Sequence, residues 1–138
     1  MDSRNAANPS AATESETVTR EERKTVVLTG ASRGIGHATV QRFSTEGWRI
    51  VTCSRESIPE ECKADPNWTH HITADLAKAA DVERFIEEAM AILGDRPVHA
   101  LVNNAAISPK TTFKERLGIL NGDMGAWREV FEFNFFAP

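Results

Sequence analysis

Tyrosine is absent from this 138-residue chain. No phenol is therefore available to give or take a proton at a substrate oxygen. Cysteine is scarce as well. Cys53 and Cys62 form no C-x-x-C pair, and with His70 and His71 they match no zinc-ligand spacing. Neither a metal site nor a disulfide framework is expected from them. Cys53 closes an apolar stretch and reads as a buried thiol, Cys62 as a free loop thiol of a reducing compartment. His70 and His71 are expected to alternate between the two faces of a strand. An excess of basic charge is also missing: 16 Lys and Arg stand against 20 Asp and Glu, a net charge of −4. Such a balance gives no basis for nucleic-acid or anionic-membrane binding. No apolar run approaches the roughly 20 residues that span a bilayer, so no membrane contact is expected. The N-terminus lacks a basic segment followed by an apolar core, so no secretory signal is expected and the cytoplasm is the default location.

What is present has the composition of one globular domain, with 41% hydrophobic and 26% charged residues. Residues 1–23 contain no aromatic residue, and Val18 is their only β-branched aliphatic one. A segment of that kind buries too little to offset its ordering entropy, and it is expected to be a disordered tail. Glu14, Glu16, Glu21 and Glu22 argue against a transit peptide. Residues 24–138 then alternate strand and helix. Strands are predicted at about 25–29, 49–53, 69–73 and 98–102. Helices are predicted at about 34–45, through the stripe Val82, Phe85, Ile86, Ala89, Met90 and Leu93, and from about 123 to 136. The stripe reads as core packing. A long polar loop separates the fourth strand from the last helix. This alternation implies right-handed crossovers and a doubly wound parallel sheet of Rossmann type, here four strands in the order 3-2-1-4. Ligands of such sheets bind beyond the carboxyl ends of the strands.

Just past the first strand stands Thr29-Gly30-Ala31-Ser32-Arg33-Gly34-Ile35-Gly36. Glycines permit a tight turn and a close backbone approach to a pyrophosphate, and the helix that follows offers its N–H groups to the anion. The other strand ends carry Ser54-Arg55, Asp75-Leu76 and Asn103-Asn104-Ala105-Ala106, and Asn134 lies in the last helix. Taken together, these motifs resemble the short-chain dehydrogenase/reductase family over about residues 24–138. That family reads T-G-x-x-x-G-x-G, an Asp before a small apolar residue, N-N-A-G, and a helical Asn.

The resemblance implies a cofactor site built from Gly30, Ser32, Arg33, Gly34, Ile35, Gly36, Ser54, Arg55, Asp75, Leu76, Asn103, Asn104 and Ala105. Asp75 would stand beside the adenine with Leu76 packed on the ring, or cap a turn. An NAD site places a carboxylate at the end of strand two, where this chain has Ser54 and then Arg55. Arg55 and Arg33 are shaped to donate to a 2′-phosphate, so NADP(H) is expected over NAD(H). Ala106 replaces the family's usual Gly. Asn134 matches the Asn of the family's catalytic tetrad, which bends its helix and holds a water of the proton relay. The Ser and the Tyr-x-x-x-Lys of that tetrad have no match here, so the chain is expected to be an N-terminal, cofactor-binding part, inactive by itself. The whole protein would interconvert a small-molecule alcohol and a carbonyl, and the last helix would serve a homo-oligomer. The alternative is a non-catalytic nucleotide-binding or interaction module.

Overall fold

The computed structural model describes residues 23–68, 70–108 and 123–136. Residues 1–22 of the expected tail and 109–122 of the long loop lie outside the described residues. Arg23, counted with the tail, instead donates from Nη1 to Asn67 Oδ1 at 2.6 Å and so belongs to the folded unit.

Four strands, β1 (Thr25–Thr29), β2 (Arg49–Ser54), β3 (His70–Thr73) and β4 (Ala100–Val102), form one parallel sheet in the order β3-β2-β1-β4. Helix α1 (Gly34–Thr45) covers one face and α2 (Ala79–Leu93) the other. β1 is buried along its whole length, which is why Thr-Val-Val-Leu-Thr shows no alternation of apolar and polar residues. Val26 and Leu28 pack under α1 with Ile50, Val40 and Trp68. Val27 packs under α2 with Val51, Cys53, Ile72, Phe85, Ala89 and Leu93. Each such aliphatic side chain contributes about 1.5–3 kcal/mol on burial.

Three details depart from the pattern read in the sequence. The apolar stripe of α2 is wider than the sheet face beneath it, so Phe85, Ala89 and Leu93 are buried while Ile86 and Met90 are exposed. β4 is shorter than expected, because the His99 ring takes over at its start: Nδ1 accepts the Thr25 N–H at 3.0 Å. The last helix is not uniform. Asp123 caps α3 (Met124–Phe131) by accepting the Ala126 N–H at 2.8 Å, and the chain then widens into a π-helical turn, Glu132–Phe136.

Cys53 is buried at the end of β2, and burial pushes its thiol up to about 12 despite the Gly30 N–H that favours the thiolate. Cys62 does not lie in an open loop. It is buried in a short 3₁₀ turn, Glu60–Cys62, with His37 Nε2 at 3.1 Å from its sulfur. Burial first, then the Glu61 and Asp65 carboxylates, raise that thiol. His70 and His71 are both half-buried rather than split between core and solvent. Among the described residues, no helix is long and apolar enough to cross a membrane and no His/Cys/Asp/Glu cluster is arranged to hold a metal.

Candidate functional site

The site lies where the four strands end and is built around the turn between β1 and α1. Gly30 leaves β1 with φ +72°, a conformation glycine adopts without the clash of a Cβ. Its N–H donates to the Cys53 carbonyl at 2.8 Å, tying the turn to the end of β2. Asn104, just past β4, ties it to the other neighbour. Asn104 Nδ2 donates to the carbonyls of Thr29 and Gly30, each at 3.1 Å. Thr29 Oγ1 in return accepts the N–H groups of Asn104 and Ala105 at 3.1 and 3.0 Å. The fit is close. A Cβ on Gly36 would come within 2.0 Å of the Gly30 carbonyl oxygen and 2.5 Å of Asn104 Nδ2.

Helix α1 begins here with its dipole uncompensated. Arg33 is its N-cap, no side chain caps the first turn, and that turn has no acidic residue. The orphan N–H groups and the partial positive charge therefore face the open end of the sheet. Helix termini of this kind bind phosphate.

A cleft of about 330 Å³ opens at this point. Gly30 and residues 32–36 form its floor, including Ser32, Arg33, Gly34, Ile35 and Gly36. Ser54 and Arg55 wall one side, Ala74 and Leu76 another, and residues 104–106 with Phe133 the third. Ala106 is thus part of the wall. Eleven of the expected cofactor residues border the cleft: Gly30, Ser32, Arg33, Gly34, Ile35, Gly36, Ser54, Arg55, Leu76, Asn104 and Ala105. Asp75 and Asn103 do not line it. Asp75 Oδ1 accepts the Ala77 N–H at 3.2 Å, and Lys78 lies 3.9 Å from Oδ2, the turn-capping alternative for this residue. Asn103 is exposed at the end of β4.

Sequence reading missed Glu56. It stands next to Arg55, lines the cleft and approaches Arg33 at 3.6 Å. Both partners are largely exposed, so the pair is worth at most about 1 kcal/mol and opens readily. The signal was a carboxylate one place beyond the arginine that drew attention. A second omission is the partner of Asn134. Asn134 Oδ1 accepts the Ile107 N–H at 2.8 Å and Nδ2 donates to the Ile107 carbonyl at 2.9 Å. This two-way clamp fastens the π-helical turn to the segment after β4, and Phe133 beside it is buried against the cleft.

A family model described as short chain dehydrogenase matches residues 24–138. The chain belongs to this family. Among the relatives of this short-chain dehydrogenase, Protein FixR of Bradyrhizobium diazoefficiens is 43% identical over 88% of the chain and 44% of FixR. An oxidoreductase of the family from Brucella ovis, solved in complex with a partially ordered NAD, is 50% identical, covering 85% of this chain and 53% of that one at a TM-score of 0.74. The ligand-free aldohexose dehydrogenase of Thermoplasma acidophilum is 33% identical, covering 83% of this chain and 40% of that one, with a TM-score of 0.65. The chain thus spans about half the length of the relatives it matches. The four-stranded parallel sheet with its flanking helices is the fold of these short-chain dehydrogenases.

Proposed function

We propose that this chain holds a nicotinamide dinucleotide for an oxidoreductase that interconverts an alcohol and a carbonyl, with NADP(H) preferred. The observation that carries the proposal is the uncapped N-terminus of α1 over a glycine turn at the strand ends, with no carboxylate in the helix's first turn. A pyrophosphate there would accept from the first N–H groups of α1, and the closeness of Gly30, Gly36 and Asn104 leaves the turn no room for a side chain. Such a cofactor supplies the hydride. The chain's own residues bind and orient it. Leu76 and Ala74 offer an apolar wall for the adenine. Ser54, Arg55 and Arg33 border the end of the cleft where the adenosine ribose would lie, and the two guanidinium groups suit a 2′-phosphate. Asn134 holds Ile107 by both backbone groups and so shapes the wall on the nicotinamide side.

Glu56 supports a second reading. A carboxylate in this wall can accept from ribose hydroxyls and would repel a 2′-phosphate, and the Brucella ovis relative was solved with NAD. Titration of the chain with NADPH and NADH, read by energy transfer from its tryptophans, separates the two. Under the favoured reading NADPH binds more tightly, Arg55→Asp reverses the order, and Glu56→Gln strengthens NADPH alone. A wild-type preference for NADH that Glu56→Gln abolishes would establish the second reading. Failure to bind either would refute both.

A further inference from the structure

We propose that His71 is a positioning residue for cofactor choice: from β3 it clamps residues 54–56 and so sets where Arg55 and Glu56 stand beside the adenosine ribose. The proposal rests on the cofactor reading of the cleft.

Arg55 and Glu56 are exposed, so the placement of their side chains depends on the backbone that carries them. That backbone has just left the sheet. β2 ends at Ser54, whose carbonyl accepts the Ala74 N–H at 3.0 Å as the last tie to the neighbouring strand. Beyond it, the Glu56 carbonyl is gripped by two side chains, Ser54 Oγ at 2.6 Å and His71 Nε2 at 2.9 Å. Ser54 Oγ also lies 3.1 Å from His71 Nε2.

The other side of the ring is anchored in the core. Thr52 Oγ1 lies 2.7 Å from His71 Nδ1, and the same oxygen accepts the indole N–H of Trp68 at 2.7 Å. Thr52 and Trp68 are buried. The contacts fit one assignment for the neutral ring, with the Thr52 hydroxyl proton going to the ring at 2.7 Å rather than to the His70 carbonyl at 3.5 Å. A carbonyl only accepts, so Nε2 carries the proton that meets Glu56. In a neutral ring Nδ1 is then bare and accepts the Thr52 hydroxyl proton. Burial, acting against the Glu56 carbonyl, lowers the imidazole from 6.5 and keeps the ring in this neutral form. A continuous chain results: Trp68 N–H to Thr52, Thr52 O–H to His71, His71 N–H to the Glu56 backbone. It transmits the rigidity of the core to the segment that carries both groups argued above to discriminate the ribose 2′ position. Packing alone would not require a partner at both ring nitrogens.

The test uses the whole chain and two substitutions. His71→Phe fills the space and removes both bonds; His71→Gln keeps one acceptor and one donor. Kd for NADPH and for NADH is measured for each. His71→Phe should shift the ratio of the two by fivefold or more, with His71→Gln restoring at least half of that shift on a logarithmic scale. Equal weakening of both cofactors, or no change, overturns the proposal. A readout that needs no cofactor accompanies it: backbone order parameters from NMR relaxation over residues 55–57 in the free chain should fall from about 0.85 to below about 0.6 in His71→Phe and remain near wild type in His71→Gln. Unchanged order parameters refute the clamp. Lowered order parameters with no binding of either cofactor by wild type keep the clamp and remove the cofactor reading, and cofactor choice with it. If His71→Phe does not fold, His71→Asn, too short to reach both partners, takes its place under the same criteria.

Discussion

Replacement of Gly36 by alanine isolates the close approach on which the cleft is built. Gly36 lies inside α1, so alanine there meets no backbone strain and should gain up to about 1 kcal/mol of helix propensity. Sterics oppose this. The added methyl would sit 2.0 Å from the Gly30 carbonyl oxygen, a backbone atom with no rotamer to yield, and 2.5 Å from Asn104 Nδ2. The start of α1 must move away from the turn by about 1 Å to restore contact distance. Overpacking of this kind costs about 1–3 kcal/mol. The shift also disturbs the two bonds from Asn104 Nδ2, worth about 1 kcal/mol each. The net loss is about 2–4 kcal/mol, a large part of the stability of a domain of this size. Gly34→Ala provides the contrast. Its φ of +57° is costly for alanine, about 1–2 kcal/mol, but a methyl there meets nothing within 4 Å. Urea denaturation followed by the fluorescence of buried Trp68 measures both. Gly36→Ala should lower the midpoint by more than Gly34→Ala does. An equal or smaller loss at Gly36 would refute the close-approach argument.

Two further outcomes follow from the buried titratable groups. His70 and His71 are both lowered from 6.5, by burial first, with Arg49 adding to the effect at His70. The unfolded chain therefore binds more protons, and stability, complete above pH 6.5, should fall as pH drops below it. Thermal melts from neutral to mildly acidic buffer check this, and a melting temperature that climbs on acidification would contradict it. Cys53, held at about 12, and Cys62, also raised, should resist iodoacetamide near pH 8 in the folded chain and react fully in concentrated urea. Rapid native alkylation of either thiol, read by mass spectrometry, would show that its burial is wrong.

Where local pattern and burial agree, the sequence was a good guide. β1 and α1 begin and end at the residues expected, because a strand buried on both faces reads as an unbroken apolar run and a glycine turn punctuates it. The strand order followed from alternation and handedness. Helical periodicity identified α2 but overstated its buried face, since a stripe marks a direction and not the width of the surface below it. The π-helical turn was indicated only through the resemblance, in which this Asn bends its helix; the hold of Asn134 on Ile107, 27 residues away in sequence, was not legible. His71 was hidden for a related reason: alternation along β3 says which face a side chain takes, not that one ring will bridge Thr52 and Glu56. Asp75 showed its turn-capping use in advance, and its bond to the Ala77 N–H is that turn.

The knot at Asn104 also decides when order is acquired. Its side chain and that of Thr29 join the end of β1, the glycine turn and the segment after β4. The conformational entropy of the turn is thus lost during folding, and a dinucleotide bound as proposed would meet amides that already point the right way. Encounter then needs no rearrangement at the phosphate end, so association there should be fast and one-step, with slower settling confined to the exposed segment of Arg55 and Glu56. On that reading folding and recognition draw on the same few bonds, and a chain that loosens this knot would lose both together.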